Sequence, residues 1–422
     1  MKKWLKDMTP AMLLYMAVIA LVALGNGFSD SILANYFKDA YHVDAVQRGF
    51  IEFPREMPGF LCAIAIAALS ALGDIRASMV AQILGVIGLT VLGLFTPAFG
   101  VMLIFLFLYS SGIHLFMPLS DSIGMSLAEP DRVGKRMGQY NAIKQAMGFV
   151  AAIVVFFGFR LGWFSFSAPI KLPFLIGAVC FALAFAALVL LDRRAGEHKT
   201  VKQRKFRLVF RREYKYYYML TVVRGVQKQI AFVYGTWVIV DLLSKGADVT
   251  AMLAIVSSFI CIFFMTALGK WMDKFGIKKM MYVDALTFIS VYVLYGLVVM
   301  GINAGSLPSV GWPVLMVYVL FILDRMSMQI GMVNAIYLRS IALDEDEVTA
   351  TLSTGVSLDH IVSILAATAG GFVWQYWGSQ WVFFIAAFLS LANIAVAWLV
   401  KPEQERAHAL EVRARRQKGA GA

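Results

Sequence analysis

Twelve apolar runs, most about 20–25 residues long, punctuate this 422-residue chain and limit its fold more than any motif does. A hydrocarbon layer roughly 30 Å thick needs about 20 helical residues to cross it. Inside lipid every backbone polar group must be satisfied within the segment, so the runs are expected to be α-helices. They fall at 10–34, 46–71, 77–97, 100–126, 138–160, 169–191, 215–242, 249–271, 279–302, 312–340, 349–374 and 380–400. Composition agrees: 60% of residues are hydrophobic and 15% charged, where a soluble chain carries about 25% charged.

One long polar interruption separates the sixth run from the seventh. Lys199, Lys202, Arg204, Lys205, Arg207, Arg211, Arg212 and Lys215 crowd into residues 192–218. The expected plan is an N-terminal six-helix bundle over 1–191, a basic cytoplasmic linker over 192–214, a C-terminal six-helix bundle over 215–400 and a solvated cytoplasmic tail over 401–422. A shift of about 215 residues lays EPDRVGKRM (129–137) on DEDEVTATL (344–352), a weak repeat that the shared six-span pattern reinforces.

Orientation follows from Lys and Arg in the short loops. Loops 98–99, 303–311 and 375–379 carry none, whereas 127–137 has Arg132, Lys135 and Arg136, and 272–278 has Lys274 and Lys278. Lys2, Lys3 and Lys6 open the chain, and Arg406, Arg413, Arg415, Arg416 and Lys418 lie near its other end. Both termini are therefore expected in the cytoplasm. The acidic turn Asp344–Glu347 dissents, but acidic residues count little in this rule. The first apolar run is too long for a cleavable leader and lacks a small-residue cleavage site, so it reads as a retained first span.

Several function classes drop out. The net charge of +12 is spread over loops and tails rather than gathered in an aromatic-interleaved patch, which argues against a nucleic-acid partner. Cys62, Cys180 and Cys261 sit inside apolar runs without metal-ligand or paired spacing. With no HExxH, no GxSxG after a strand and no P-loop, neither a hydrolase nor a nucleotide-powered pump is indicated. No enzyme activity, metal or cofactor is expected.

Between the eighth and ninth spans stands LGKWMDKFGIKKM, in which Gly269, Asp273, Lys274, Gly276, Lys278 and Lys279 spell G-x-x-x-D-K-x-G-x-K-K. Gly269 would allow close helix approach, and Gly276 a tight turn. Asp273 at a helix C-terminal end would need a cation or a helix N-terminus. The stretch resembles the cytoplasmic motif of the major facilitator superfamily, which recurs after helices 2 and 8. The first-half counterpart, SALGDIRASM, keeps Asp74 and Arg76 but has Ser70 for the leading glycine and no later basic pair. The resemblance implies an all-α membrane protein of twelve transmembrane helices in two pseudo-symmetric bundles. It implies a secondary transporter in the cell membrane (plasma or bacterial inner), working by rocker-switch alternating access around a cavity lined by helices 1, 4, 7 and 10. The motif would then act as an intracellular latch. The glycine-proline signature of drug–proton antiporters is absent from the fifth span.

Ionisable side chains deep in a span cost several kcal/mol and are functional candidates by default. Asp30 lies in the outer half of the first span, and Glu52, Arg55 and Glu56 at similar depth in the second. Arg55 is i+3 from Glu52 and is expected to pair with it; the group reads either as an outer gate or proton site, or as a structural ion pair. Depth alone pairs Asp121 on the fourth span with Lys144 on the fifth, while His114 at mid-depth reads first as a structural residue. Arg224 and Lys228 share a face of the seventh span and require something anionic: Asp324, Asp359 or a solute. Asp324 and Arg325 are adjacent and point about 100° apart. Asp359 and His360 sit mid-span on the eleventh helix.

The resulting expectation is a monomeric, proton-coupled carrier of a small polar or anionic organic solute in a lipid bilayer. The alternatives are export of amphipathic drugs or lipids, and a membrane receptor that moves nothing.

Overall fold

The computed structural model describes residues 8–129, 132–195 and 209–420, and no strand occurs among them. Most of the basic linker, the first seven residues and the last two lie outside these bounds. The helices are α1 (Pro10–Asp30), α2 (Leu33–Tyr41), α3 (Ala45–Ala68), α4 (Gly73–Leu94), α5 (Phe99–Leu127), α6 (Val133–Arg160), α7 (Leu172–Ala195) and α8 (Lys215–Gln229). They continue with α9 (Ala247–Asn303), α10 (Trp312–Ile330), α11 (Met332–Ile341), α12 (Glu345–Tyr376), α13 (Ser379–Leu399) and α14 (Pro402–Ala420).

Local chemistry sets several boundaries. Thr9 caps α1 by accepting from the Met12 amide at 3.2 Å, with Pro10 in the first turn. Gly276, at φ 76° and ψ 168°, breaks the 57-residue α9 into two helical stretches. Only glycine adopts that backbone region cheaply. After α8 the chain runs on as two π-helical turns, Ile230–Gly235 and Val238–Leu242.

Nine helices among the described residues are long and apolar enough to cross a membrane, with α9 counted once and α10–α11 together. α3 is not among them, since Arg48, Glu52, Arg55 and Glu56 interrupt its apolar face. Large apolar side chains such as Ile104, Leu183, Phe263 and Phe388 stand more than half exposed. In water such surface drives association; against lipid it is the required exterior.

The described chain divides into two compact units. The first comprises Met1–His42, Pro54–Phe206 and Lys245–Ile255. In it α4 packs on α5 and α7, and α1 on α6 and α7. Gly88 permits the α4–α5 approach: a Cβ there would meet Phe105 O at 2.6 Å and Tyr109 N at 2.7 Å. The second unit comprises Val43–Phe53, Arg207–Ser244 and Val256–Ala422, and in it α8 packs on α12 and α13.

Within the expected solvated tail, Pro402–Ala420 form α14, which packs on α11. Ala409 is 1% exposed, Tyr337 Oη donates to Glu405 at 2.7 Å, and Arg413 Nε donates to Ala342 O at 2.8 Å. The polar composition hid this attachment, because only a few side chains carry it.

In the first unit, Glu129 accepts from both Arg136 Nε (2.8 Å) and Arg136 Nη2 (2.6 Å). These bonds hold its carboxyl down at about 2. A depressed carboxyl stabilises the fold above its unfolded value of about 4.3 and loses that effect as pH falls towards the folded one. Glu129→Gln is therefore expected to lower the melting temperature at pH 7, and the gap to wild type should shrink between pH 4.5 and 3. A constant gap across that range would refute the assignment.

Candidate functional site

The second unit holds a buried ionic network on α8, α9 and α10. Asp324 is 1% exposed and Asp284 3%. Asp324 Oδ1, Asp284 Oδ1, Arg224 Nη1 and Arg325 Nη1 each lack a hydrogen-bond partner among the described residues. Tyr292 Oη donates to Gln227 O at 2.9 Å. Arg224 is part-exposed on α8. Its Nη2 donates to Met328 O, a carbonyl in the last turn of α10. Arg325 turns the other way: its guanidinium lies 3.9 Å from the Phe232 ring centroid and 4.8 Å from that of Phe321, and Nη2 donates to Thr236 Oγ1 at 3.3 Å. Adjacent positions on a helix diverge by about 100°, so the pair serves two surroundings.

Beside this network, Lys228 Nζ lies 2.6 Å from Asp359 Oδ2, joining α8 to α12 with both side chains about one-fifth exposed. Arg224 and Lys228, on one face of α8, thus find different partners, and their repulsion is answered separately. His360 is buried at 8%. Gln227 Nε2 donates to Ser390 Oγ at 2.9 Å, while Gln227 Oε1 and Asn334 Oδ1 have no partner among the described residues.

Around the start of α3, Glu52 is fully buried and pairs with Arg48 at 2.7 Å. Arg48 sits one turn earlier, at i−4, and also lies 5.9 Å from the Trp237 ring centroid. Arg55 approaches Glu56 at 3.7 Å, in the first unit. Asp30 accepts from Tyr109 Oη at 3.0 Å. The expected Asp121–Lys144 pair is corrected, for no ion pair joins them. Asp121 is exposed and Lys144 half-buried; equal depth fixes height along a helix but not the direction in which a side chain points. His114 Nδ1 lies 2.9 Å from Ser110 O and 3.1 Å from Ser110 Oγ.

At the glycine motif, Gly276 makes the turn, but no close packing is found at Gly269, where an added Cβ would meet nothing within 4 Å. Helix approach in this unit is set elsewhere. Lys278 Nζ donates to Trp398 O (3.1 Å) and Val400 O (2.8 Å), capping the end of α13. Lys274 lies 5.4 Å from the Phe275 ring centroid, and Asp273 and Lys279 are exposed. In the first unit Asp74 sits in the first turn of α4, a favourable end for a carboxylate. Arg76 Nε pairs with Asp192 at 3.0 Å.

Asp284 and Arg48 are not among the residues singled out from the sequence. Asp284 had the same signal as Asp324, an acid inside an apolar run. Arg48 lies near the boundary of its span, where a charge reads as a loop residue.

Apolar helices long enough to cross a membrane, with carboxyl groups buried among them, define a polytopic membrane protein. The family model of the Major Facilitator Superfamily matches residues 15–344, and the chain belongs to that family. It is an integral, multi-pass protein of the cell membrane and a secondary transporter. Among solved structures it is similar to the nucleoside transporter NupG (TM-score 0.69, 12% identity, covering 92% of this chain and 99% of that one). It is likewise similar to a D-xylose-proton symporter (TM-score 0.67, 14% identity, 93% and 98%) and a POT family transporter (TM-score 0.69, 12% identity, 92% and 94%). No curated protein sequence matches the chain.

Proposed function

We propose that the protein carries a small polar or anionic organic solute by alternating access, coupled to protons, through twelve spans with both termini cytoplasmic. In this topology α3, the α8 segment with its π-helical turns, and the two halves of α9 each supply a crossing. The glycine motif of α9 acts as an intracellular latch, and the protein works as a monomer.

One observation supports the reading: Asp284 and Asp324 are buried, and Oδ1 of each, with Nη1 of the part-exposed Arg224 and Arg325, is a buried atom without a hydrogen-bond partner among the described residues. Unmatched charged groups in a low-dielectric interior are costly. A carboxylate that exchanges a cation for a proton, or a cation that meets an anionic permeant, gives such groups a partner during the cycle. Apolar cargo would gain nothing from them, which weighs against efflux of amphipathic compounds. The fold relatives include transporters of a nucleoside and, with protons, of D-xylose, and so favour polar cargo.

A thermal-shift panel of polar and anionic solutes on the purified protein should reveal the cargo by a raised melting temperature. Proteoliposomes with an internal pH dye should then show solute entry accompanied by acidification. Flux indifferent to an imposed or collapsed proton gradient would remove the coupling. No stabilising solute except amphipathic compounds would favour efflux.

A further inference from the structure

A second site lies within the second unit, apart from the buried network. A cavity of about 540 Å³ opens where three helices end: α8 begins at Lys215, α11 ends at Ile341 and α13 ends at Leu399, and all three residues line it. α14 closes it from the remaining side through Lys401, which precedes that helix, and residues on the helix itself.

Its chemistry is two-sided. Ile341, Leu343 and Leu399 give one apolar wall. Arg212, Lys215 and Lys401 supply cations, and none forms an ion pair among the described residues. Lys215 Nζ instead sits 4.7 Å from the Tyr216 ring centroid. Of the two acids in the lining, Glu405 accepts from Tyr337 Oη at 2.7 Å and from the Lys401 amide at 3.4 Å, which occupies its oxygens but leaves its charge. With Glu213 the two carboxylates still fall one charge short of the three cations.

The ends of membrane spans mark the headgroup layer. Lys278, from the loop that the charge rule places in the cytoplasm, caps the same end of α13. A basic, partly apolar pocket at that level has the composition that binds acidic headgroups. We propose that this cavity holds the phosphate of an anionic phospholipid from the cytoplasmic leaflet, with Arg212, Lys215 and Lys401 around the phosphate and Leu399 and Ile341 against the glycerol and upper acyl chain. Its placement in that leaflet rests on the topology proposed above; the binding chemistry does not.

Native mass spectrometry of the full-length, delipidated protein tests it, using phosphatidylglycerol and phosphatidylethanolamine of matched chains in competition. The wild type should retain phosphatidylglycerol preferentially. Arg212→Gln/Lys401→Gln should weaken that binding roughly 10- to 30-fold, the effect of two cations near an acidic headgroup. Lys135→Gln/Arg194→Gln, two exposed cations of the other unit, should not change it. A parallel melt with inorganic phosphate separates the sources: phosphate stabilisation that Arg212→Gln/Lys401→Gln abolishes, without lipid preference, would replace lipid by free phosphate and overturn the proposal. Equal retention of the two lipids by wild type, or equal loss in both variants, would also overturn it. Solute flux plays no part in these readouts, so a failed transport reading leaves them intact.

Discussion

Proteoliposomes carrying Asp324→Asn are expected to lose gradient-driven accumulation of cargo while retaining exchange of cargo for cargo. Asparagine keeps the size of the side chain but carries no titrating proton. Asp324 is 1% exposed, and its Oδ1 has no partner. The adjacent Arg325 is directed at Phe232, Phe321 and Thr236. Buried and without an ion pair among the described residues, Asp324 is placed to be the carboxyl that carries the proton. A proton falling through one pH unit releases about 1.36 kcal/mol. One proton per solute across a two-unit gradient therefore sustains about 100-fold accumulation, and the variant should settle near equal concentrations. Asp284→Asn is the companion experiment. Unchanged accumulation in Asp324→Asn with collapse in Asp284→Asn would move the proton to α9. Unchanged accumulation in both would end the proton reading of this network.

Much of this architecture is legible in the chain because lipid imposes a length on every crossing. The helices follow the apolar runs, and the Gly276 turn follows from its sequence context. Depth along each span is legible too, since it follows from a rise of 1.5 Å per residue. Azimuth is not. It depends on how neighbouring helices pack, and that is where the sequence reading failed. Glu52 has cations at both i−4 and i+3; the i−4 partner, Arg48, was not singled out, yet it is buried against Glu52 at 2.7 Å. Asp121 and Lys144 share a depth but not a direction. Gly269 looks like a packing glycine, yet faces no neighbour, while Gly331, which the sequence does not distinguish, has a guanidinium against it. Burial of Asp284 was available from the rule that identified Asp324 and needed no structure. The attachment of α14 was not available, because a helix with a polar composition and one buried alanine carries little periodic signal.

Gly331→Ala should reproduce the defect of Arg224→Met, and the two together should cost little more than either alone. Gly331 stands between α10 and α11, and a Cβ there would overlap the Arg224 guanidinium. That guanidinium donates to Met328 O, one of the last-turn carbonyls that a helix leaves unsatisfied. Met328 is buried, so the arginine acts as the cap of that carbonyl. The obstructing atoms are the far end of a flexible side chain, so the backbone need not move; the arginine swings away instead. Either change uncaps the carbonyl and removes a charge-assisted hydrogen bond worth about 1.5–3 kcal/mol. Melting curves of the two single variants and the double variant, in one detergent, measure the coupling. If the losses simply add, Gly331 and Arg224 act independently and the cap is not what holds α10 to α8. If the double variant is more stable than Gly331→Ala, the displaced guanidinium, rather than the uncapped carbonyl, dominates the cost.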